Sequence, residues 1–305
     1  MKSETEQLLA TLEVIVGNPF ICTFVWDTEE QGEFNLWNLA IAQNFVSLTD
    51  VDLAIAHWQS VERWGTPTEQ TKNFEYAPPR SQRKDGWNAE IEAKRFESYQ
   101  QLSQLLKAEL SDLQAFKLSV PQGLSDSCEW RHQDYCVYII IGKIADENWL
   151  CLLPTVPDQV HNKGLAQTTL TNPIKSPTTK TLELQSKIRS ILAELPAITL
   201  YGYYYGAYNY TYQHQIVYAF SQSKALAIEL ALQSAEMLTV EKTNVEYASD
   251  EYNSQKLSQF FNANLNDRTI YTLNFWEISY NYEIGKASTG DWLGVRSLWE
   301  FEYNP

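Results

Sequence analysis

Four carboxylates fall within seven residues near the start of the chain: Asp27, Glu29, Glu30 and Glu33. They lie between FICTFVW and FNLWNLA, two segments that read as strands. Carboxylates crowded on one loop make charge-assisted acceptors for a cationic or metal-bearing pocket on a partner. The same composition also describes a solvated hairpin tip. A second cluster is aromatic. Tyr205, Tyr208, Tyr210 and Tyr212 stand in a run that begins at Tyr201. Tyrosine is enriched at contact surfaces, and it also paves half-buried sheet faces. The run holds no Arg or Lys, which argues against stacking on single-stranded bases.

Other chemistry is sparse. His57, His132, His161 and His214 are scattered, with no HExxH or Cys/His metal spacing. No P-loop, GxGxxG or GxSxG occurs. Cys22, Cys128, Cys136 and Cys151 lack CxxC spacing and read as buried free thiols. Arg80, Arg83 and Lys84 sit in a Pro-rich polar stretch that reads as a solvated loop. The expectation is a non-enzymatic protein with no metal and no cofactor. A hydrolase built on a carboxylate pair is the enzymatic alternative.

The elements that must position these residues come from 305 residues, 44% apolar and 13% aromatic, with 23 basic and 38 acidic side chains. That is ample core material for about two domains. A net charge of −15 disfavours direct nucleic-acid binding, which needs Lys and Arg to displace counterions. Apolar runs such as Tyr138 to Ile141 fall far short of the ~20 residues that span a bilayer. The N-terminal segment leads into an amphipathic helix, so the expectation is a cytoplasmic protein with no membrane contact.

Two stretches resemble one another. QLSQLLKAELSD (101–112) and KLSQFFNANLND (256–267) match at an offset of 155, and both read as helices ending in Asp. Extended segments follow, 115–120 and 270–275. Then Ile-Gly-Lys, five residues and Trp-Leu occur twice: Ile141 to Leu150 and Ile284 to Leu293. Fainter matches lie upstream, Leu53-Ala54-Ile55 with Leu226-Ala227-Ile228. The Pro- and Thr-rich stretch 159–179 reads as a linker. An internal duplication follows: a domain over 1–158 and a diverged copy over 180–305. Each is expected to be an α/β/α sandwich, a largely antiparallel α+β sheet flanked by helices.

The IGK, polar turn and Trp signature, preceded by its amphipathic helix, resembles the nuclease A inhibitor family over about 50 residues of each half. The second half is nearer, with Thr289-Gly290-Asp291-Trp292-Leu293-Gly294; the first has Cys151 where the signature has Gly. That family consists of small acidic α/β/α proteins that block a sugar-nonspecific, metal-dependent nuclease. The resemblance implies that the loop of Asp27, Glu29, Glu30 and Glu33 mimics phosphate in a nuclease pocket. It places the second half's equivalent loop at Tyr205 to His214, which carries no carboxylate. Residues 1–160 hold 12 basic and 24 acidic side chains, 161–305 hold 11 and 14, so the first half is the expected mimic. The partner is a protein, a nuclease by resemblance. The competing readings are an interaction scaffold of the same fold and a small-ligand binder using the cleft between domains.

Overall fold

The computed structural model describes residues 2–17, 21–64, 87–121, 136–145, 147–157, 177–201, 211–242, 254–275 and 278–300. In chain order the elements are α1 (Ser3–Val16), β1 (Ile21–Trp26), α2 (Thr28–Gln31), α3 (Leu36–Ala42), β2 (Val46–Thr49), α4 (Val51–Trp64), α5 (Ala89–Glu109) and β3 (Leu110–Ser119). There follow β4 (Cys136–Ile144), β5 (Trp149–Pro154), α6 (Thr179–Ala193), β6 (Ile198–Tyr201), β7 (Thr211–His214), β8 (Ile216–Ser221) and α7 (Lys224–Ser234). The chain closes with β9 (Leu238–Lys242), α8 (Ser254–Asn264), β10 (Leu265–Phe275), β11 (Ile278–Ala287) and β12 (Trp292–Glu300). The protein is therefore of mixed α+β class, with antiparallel sheets. No described helix is long and apolar enough to cross a membrane.

The elements group into two compact units that cross the expected cut. One is Met1–Asn35 with Leu238–Pro305, the other Leu36–Met237. The expected boundaries at 158 and 180 are not theirs, and most of the expected linker lies outside the described residues. The reason is strand pairing. β1 pairs antiparallel with β12, Ile21 opposite Ser297 through Trp26 opposite Trp292. β8 pairs with β5, Trp149 opposite Ser221 through Pro154 opposite Ile216. α1 and β1 of the first half thus complete the sheet made by the second half, and α6 and β8 of the second half complete the sheet made by the first.

The discontinuous unit has the sheet order β1-β12-β11-β10-β9. The central unit has β8-β5-β4-β3-β2, plus a separate β6-β7 pair. With β1 matched to β8, and β9 through β12 matched to β2 through β5, the two orders are identical. In the discontinuous unit Leu12, Val16, Phe260 and Phe261 pack on Leu265, Leu293 and Val295. In the central unit Trp58, Tyr99, Leu102, Leu106, Leu184 and Ile188 pack on Ile140, Leu150, Leu152 and Phe220. The alternate residues of those strands, Ile139, Ile141, Cys151 and Leu153, are also buried, so both faces of β4 and β5 are covered.

The repeated motif has a local cause in each unit. α5 ends at Glu109 and α8 at Asn264, three residues short of the expected Asp ends; Leu110 and Leu265 already begin strands. Asp112 (φ 47) and Asp267 (φ 53) lie instead in left-handed conformations inside bulges, between Ser111 and Gln114 and between Asn266 and Thr269. Asp tolerates that region better than most residues, and the bulge re-aims the strand. Gly142 and Gly285 lie against it. A Cβ on either would stand 2.8 or 2.7 Å from the Cβ of Leu110 or Leu265. The Gly of IGK is a close-approach residue.

Three other expectations change. FNLWNLA is not a strand; Leu36 to Ala42 is helical. Leu53-Ala54-Ile55 and Leu226-Ala227-Ile228 lie on non-equivalent helices, α4 and α7. The counterpart of α7 is α3: both end on a left-handed residue, Asn44 (φ 61) and Glu236 (φ 64), and both close with a bond five residues back. Phe45 N–H donates to Ala40 O and Met237 N–H to Leu232 O. Cys136 and Cys151 are buried thiols, the first with its Sγ 3.6 Å from His57 Nε2, whereas Cys22 is exposed and Cys128 lies outside the described residues.

Candidate functional site

The acidic loop is a capped helical turn, not a hairpin tip. Asp27 is its N-cap: its Oδ1 accepts from the backbone N–H of Glu29 at 3.0 Å and of Glu30 at 3.4 Å. The Gln31 N–H returns to Asp27 O at 2.8 Å, and Gly32 (φ 79) ends the turn. The turn is clamped at both ends. Thr28 N–H donates to Asp291 Oδ1 at 3.1 Å and Thr28 Oγ1 to Gly290 O at 3.0 Å. Trp26 Nε1 donates to Gly32 O at 2.9 Å. Past the turn, Phe34 packs on Trp26, Tyr271 and Trp292 at centroid distances of 5.6, 5.9 and 4.8 Å.

Asp291 is the hub of that clamp and is fully buried. Its Oδ2 accepts from Thr5 Oγ1 at 2.6 Å, which ties α1 to the β11–β12 turn. The central unit has a neutral version: Asn148 Nδ2 donates to Thr181 Oγ1 of α6 at 3.2 Å. Asp291 and Asn148 each precede the Trp of the motif, and Thr5 and Thr181 occupy matching places on matching helices.

The four predicted carboxylates therefore divide. Asp27 is only 7% exposed and holds the turn, whereas Glu29, Glu30 and Glu33 are exposed. Lys2 Nζ lies 3.4 Å from Glu29 Oε1 and donates to Thr289 O. The charge is uneven between the units as well as between the halves. The discontinuous unit carries 6 basic and 17 acidic residues, net −11; the central unit carries 17 and 21, net −4.

The tyrosine surface fares differently. Tyr205, Tyr208 and Tyr210 lie outside the described residues. Tyr212 is buried on β7, with its hydroxyl 3.3 Å from His214 Nδ1, so it is not a contact residue. Burial, and then Glu62 nearby, push its hydroxyl pKa far up. Nor is this segment the counterpart of the acidic turn. β8 matches β1, and the register of Ser221 against Trp149 and of Trp26 against Trp292 places Gln222-Ser223-Lys224 where the other unit has Asp27-Thr28-Glu29. The β6-β7 pair is an addition before that strand.

Sequence reasoning passed over a buried polar cluster in the central unit. Arg95 grips Glu62 through Nε at 2.7 Å and Nη2 at 2.6 Å, and Tyr99 donates to Glu62 Oε1 at 2.6 Å. His214 Nε2 lies 4.0 Å from the same oxygen, and Arg95 Nη1 donates to Pro196 O. Burial, then the Glu62 charge, hold the Tyr99 hydroxyl well above its ordinary range. Exposures of 0–5% among Glu62, Arg95, Tyr99 and His214 make this a clamp joining α4, α5 and β7, not a ligand site. The signal was present: Glu62 lies four residues after Trp58, and Arg95 four before Tyr99, on the buried stripes of their helices.

The discontinuous unit has a polar recess of about 380 Å³ beside the Asp267 bulge, lined by Asn262, Leu265, Asn266, Asp267 and Arg268. Its cation is engaged: Arg268 bonds Glu283 and Asn262 and lies over the Phe261 ring. Among the described residues no group of three or more His, Cys, Asp or Glu is placed to hold a metal ion. Set against protein-family models, curated proteins and solved structures, the chain matches none.

Proposed function

We propose that this chain is a non-enzymatic binding protein of the nuclease A inhibitor kind, acting in the cytoplasm. Glu29, Glu30 and Glu33 enter a cationic or metal-bearing pocket of a partner nuclease in place of phosphates. The observation that carries this reading is the clamped turn. A preorganised acidic tip spares the entropy of ordering a loop on binding, and a surrounding net charge of −11 speeds encounter with a basic partner. The two units read as diverged sandwich copies that exchanged one helix and one strand each. The identical strand order, the paired bulges, and the Thr5–Asp291 and Asn148–Thr181 anchors support that history.

The test uses the full chain against a sugar-nonspecific, magnesium-dependent nuclease, with DNA digestion as the readout. Wild type should inhibit, with an association rate falling steeply from low to high salt. The triple variant Glu29→Gln, Glu30→Gln, Glu33→Gln should lose inhibition while keeping its unfolding midpoint. Undiminished inhibition by the triple variant would overturn the assignment of the turn. A second reading, an interaction scaffold of the same fold, draws on exposed apolar groups of the same unit, Val14 (84%) and Trp299 (48%). Partner capture that resists salt and survives the triple substitution would favour it.

A further inference from the structure

In the discontinuous unit Phe34 lies over the aromatic pair Tyr271 and Trp292. In the central unit the same two sheet positions hold Phe116 and Trp149, and the group over them is an amine. Lys224 Nζ stands 5.0 Å from the Phe116 centroid and 5.9 Å from that of Trp149. It donates to Gln114 Oε1 at 2.6 Å. We propose that Lys224 is a nucleophilic amine that takes an aromatic aldehyde as a covalent ligand, seated against Phe116 and Trp149.

The surroundings of this amine set it apart from the ion-paired lysines. Lys94, Lys107, Lys143 and Lys187 each reach a carboxylate: Glu194, Asp52, Glu147 and Glu109. Lys224 has a neutral amide and two ring faces. The rings attract an ammonium, but they also displace the water that would solvate it. Lys224 is moreover the first residue of α7, where the helix dipole disfavours added positive charge. Burial holds its pKa below the ordinary amine range, opposed by the charge of Asp112. Bonds to Glu194, Glu147 and Glu109 hold Lys94, Lys143 and Lys187 above that range. Lys224, Phe116 and Trp149 are half-buried and Gln114 is exposed, so a planar ligand can reach the box.

The chemistry balances without an external oxidant or reductant. The ammonium first releases a proton to water; the Nζ lone pair then attacks the carbonyl carbon, and a second proton passes from nitrogen to the carbonyl oxygen to give a carbinolamine. Loss of water leaves the imine. The product sheds the ammonium's desolvated charge and keeps both ring faces for stacking with the aldehyde's ring.

The full-length protein treated with limiting pyridoxal and cyanoborohydride, which reduces the imine to a stable amine, can be mapped by peptide mass spectrometry. Near neutral pH, Lys224 should be labelled about tenfold faster than Lys94, Lys143 and Lys187, because a larger share of its amine is unprotonated. Gln114→Glu, an exposed substitution, supplies the missing carboxylate and should slow Lys224 about tenfold while leaving the other three unchanged. Even labelling of the four lysines would overturn the proposal. So would a Lys224 rate indifferent to Gln114→Glu.

Discussion

The two units solve one architectural problem with different chemistry. Both build a five-stranded antiparallel sheet in the same order, bulge one strand at an Asp, and press a glycine against the bulge. They part at the polar positions. The register of β10 with β11 and of β3 with β4 places Arg268 and Glu283 where the central unit has Leu113 and Ile140. The anchor is charged in one, Asp291, and neutral in the other, Asn148. Gly294 faces Glu283 O so closely that a Cβ would stand 2.0 Å away, yet its counterpart Cys151 is accommodated. Apolar sheet positions are thus conserved in kind between the units, whereas ionic ones are replaceable. Burying a matched ion pair and burying two aliphatic side chains can come out near each other in free energy.

The largest expected effect concerns the exchanged elements. Fragment 36–237 contains every element of the central unit and should unfold cooperatively in urea. Fragment 36–158 lacks α6 and β8 and so loses Leu184, Ile188, Leu195, Ile216 and Phe220 from the core. At ~1.5–3 kcal/mol for each fully buried side chain, the loss is on the order of 10 kcal/mol, comparable to the whole stability of a domain. Circular dichroism should show it unfolded. A folded 36–158 would break the comparison, because the sheet would not need the strand borrowed from the other half.

What was legible beforehand follows the same division. The motif Ile-Gly-Lys, five residues, Trp-Leu marks two hairpins because glycine and tryptophan are fixed there by close approach and burial. Its equivalence could be read without a structure. The exchange could not. The amphipathic pattern of α1, with Thr5, Leu12 and Val16 on the buried side, says that one face is covered but not by which sheet. The helix ends at Glu109 and Asn264 were overrun because LSD and LND continue the helical composition; only the bulge reveals strand. FNLWNLA (34–40) has the composition of a strand, yet Leu36–Ala42 is helical, because seven apolar-rich residues suit either state. Of the acidic turn, the charge was legible and the division of labour was not. Asp27 has the composition of a contact residue and the position of a cap.

A middle-sized effect tests whether the ionic positions are interchangeable. Arg268→Leu alone places the central unit's residue in the discontinuous unit and leaves Glu283 buried without its main partner. The expected loss is about 3–5 kcal/mol in denaturant unfolding. Adding Glu283→Ile, the other half of the central unit's solution, should return stability to within about 1 kcal/mol of wild type or exceed it. Arg268 is 6% and Glu283 7% exposed, so solvent offers the stranded carboxylate little relief. A double variant no better than the single would mean that Asn262 and the Phe261 ring also need the guanidinium. The two units would then not be exchangeable residue for residue.

The smallest effect on stability falls at Glu29, the position that Lys224 matches in the central unit. Glu29→Lys removes an exposed ion pair with Lys2 and places two cations near one another on a turn held by other groups. The side chains of Lys2 and Glu29 are 43% and 67% exposed, and pairs so exposed contribute about 0–1 kcal/mol. The clamp does not involve the Glu29 carboxylate: the cap belongs to Asp27 and the anchors to Thr28 and Asp291. The unfolding midpoint should therefore barely move. Binding to a cationic pocket should respond far more, because the change replaces an attractive charge with a repulsive one at the tip of the unit that carries the net −11. If stability falls with binding, the turn belongs to the fold. If binding alone falls, the fold and the site are separable at this residue, and the sign of one side chain distinguishes a unit built to meet a basic partner from one that is not.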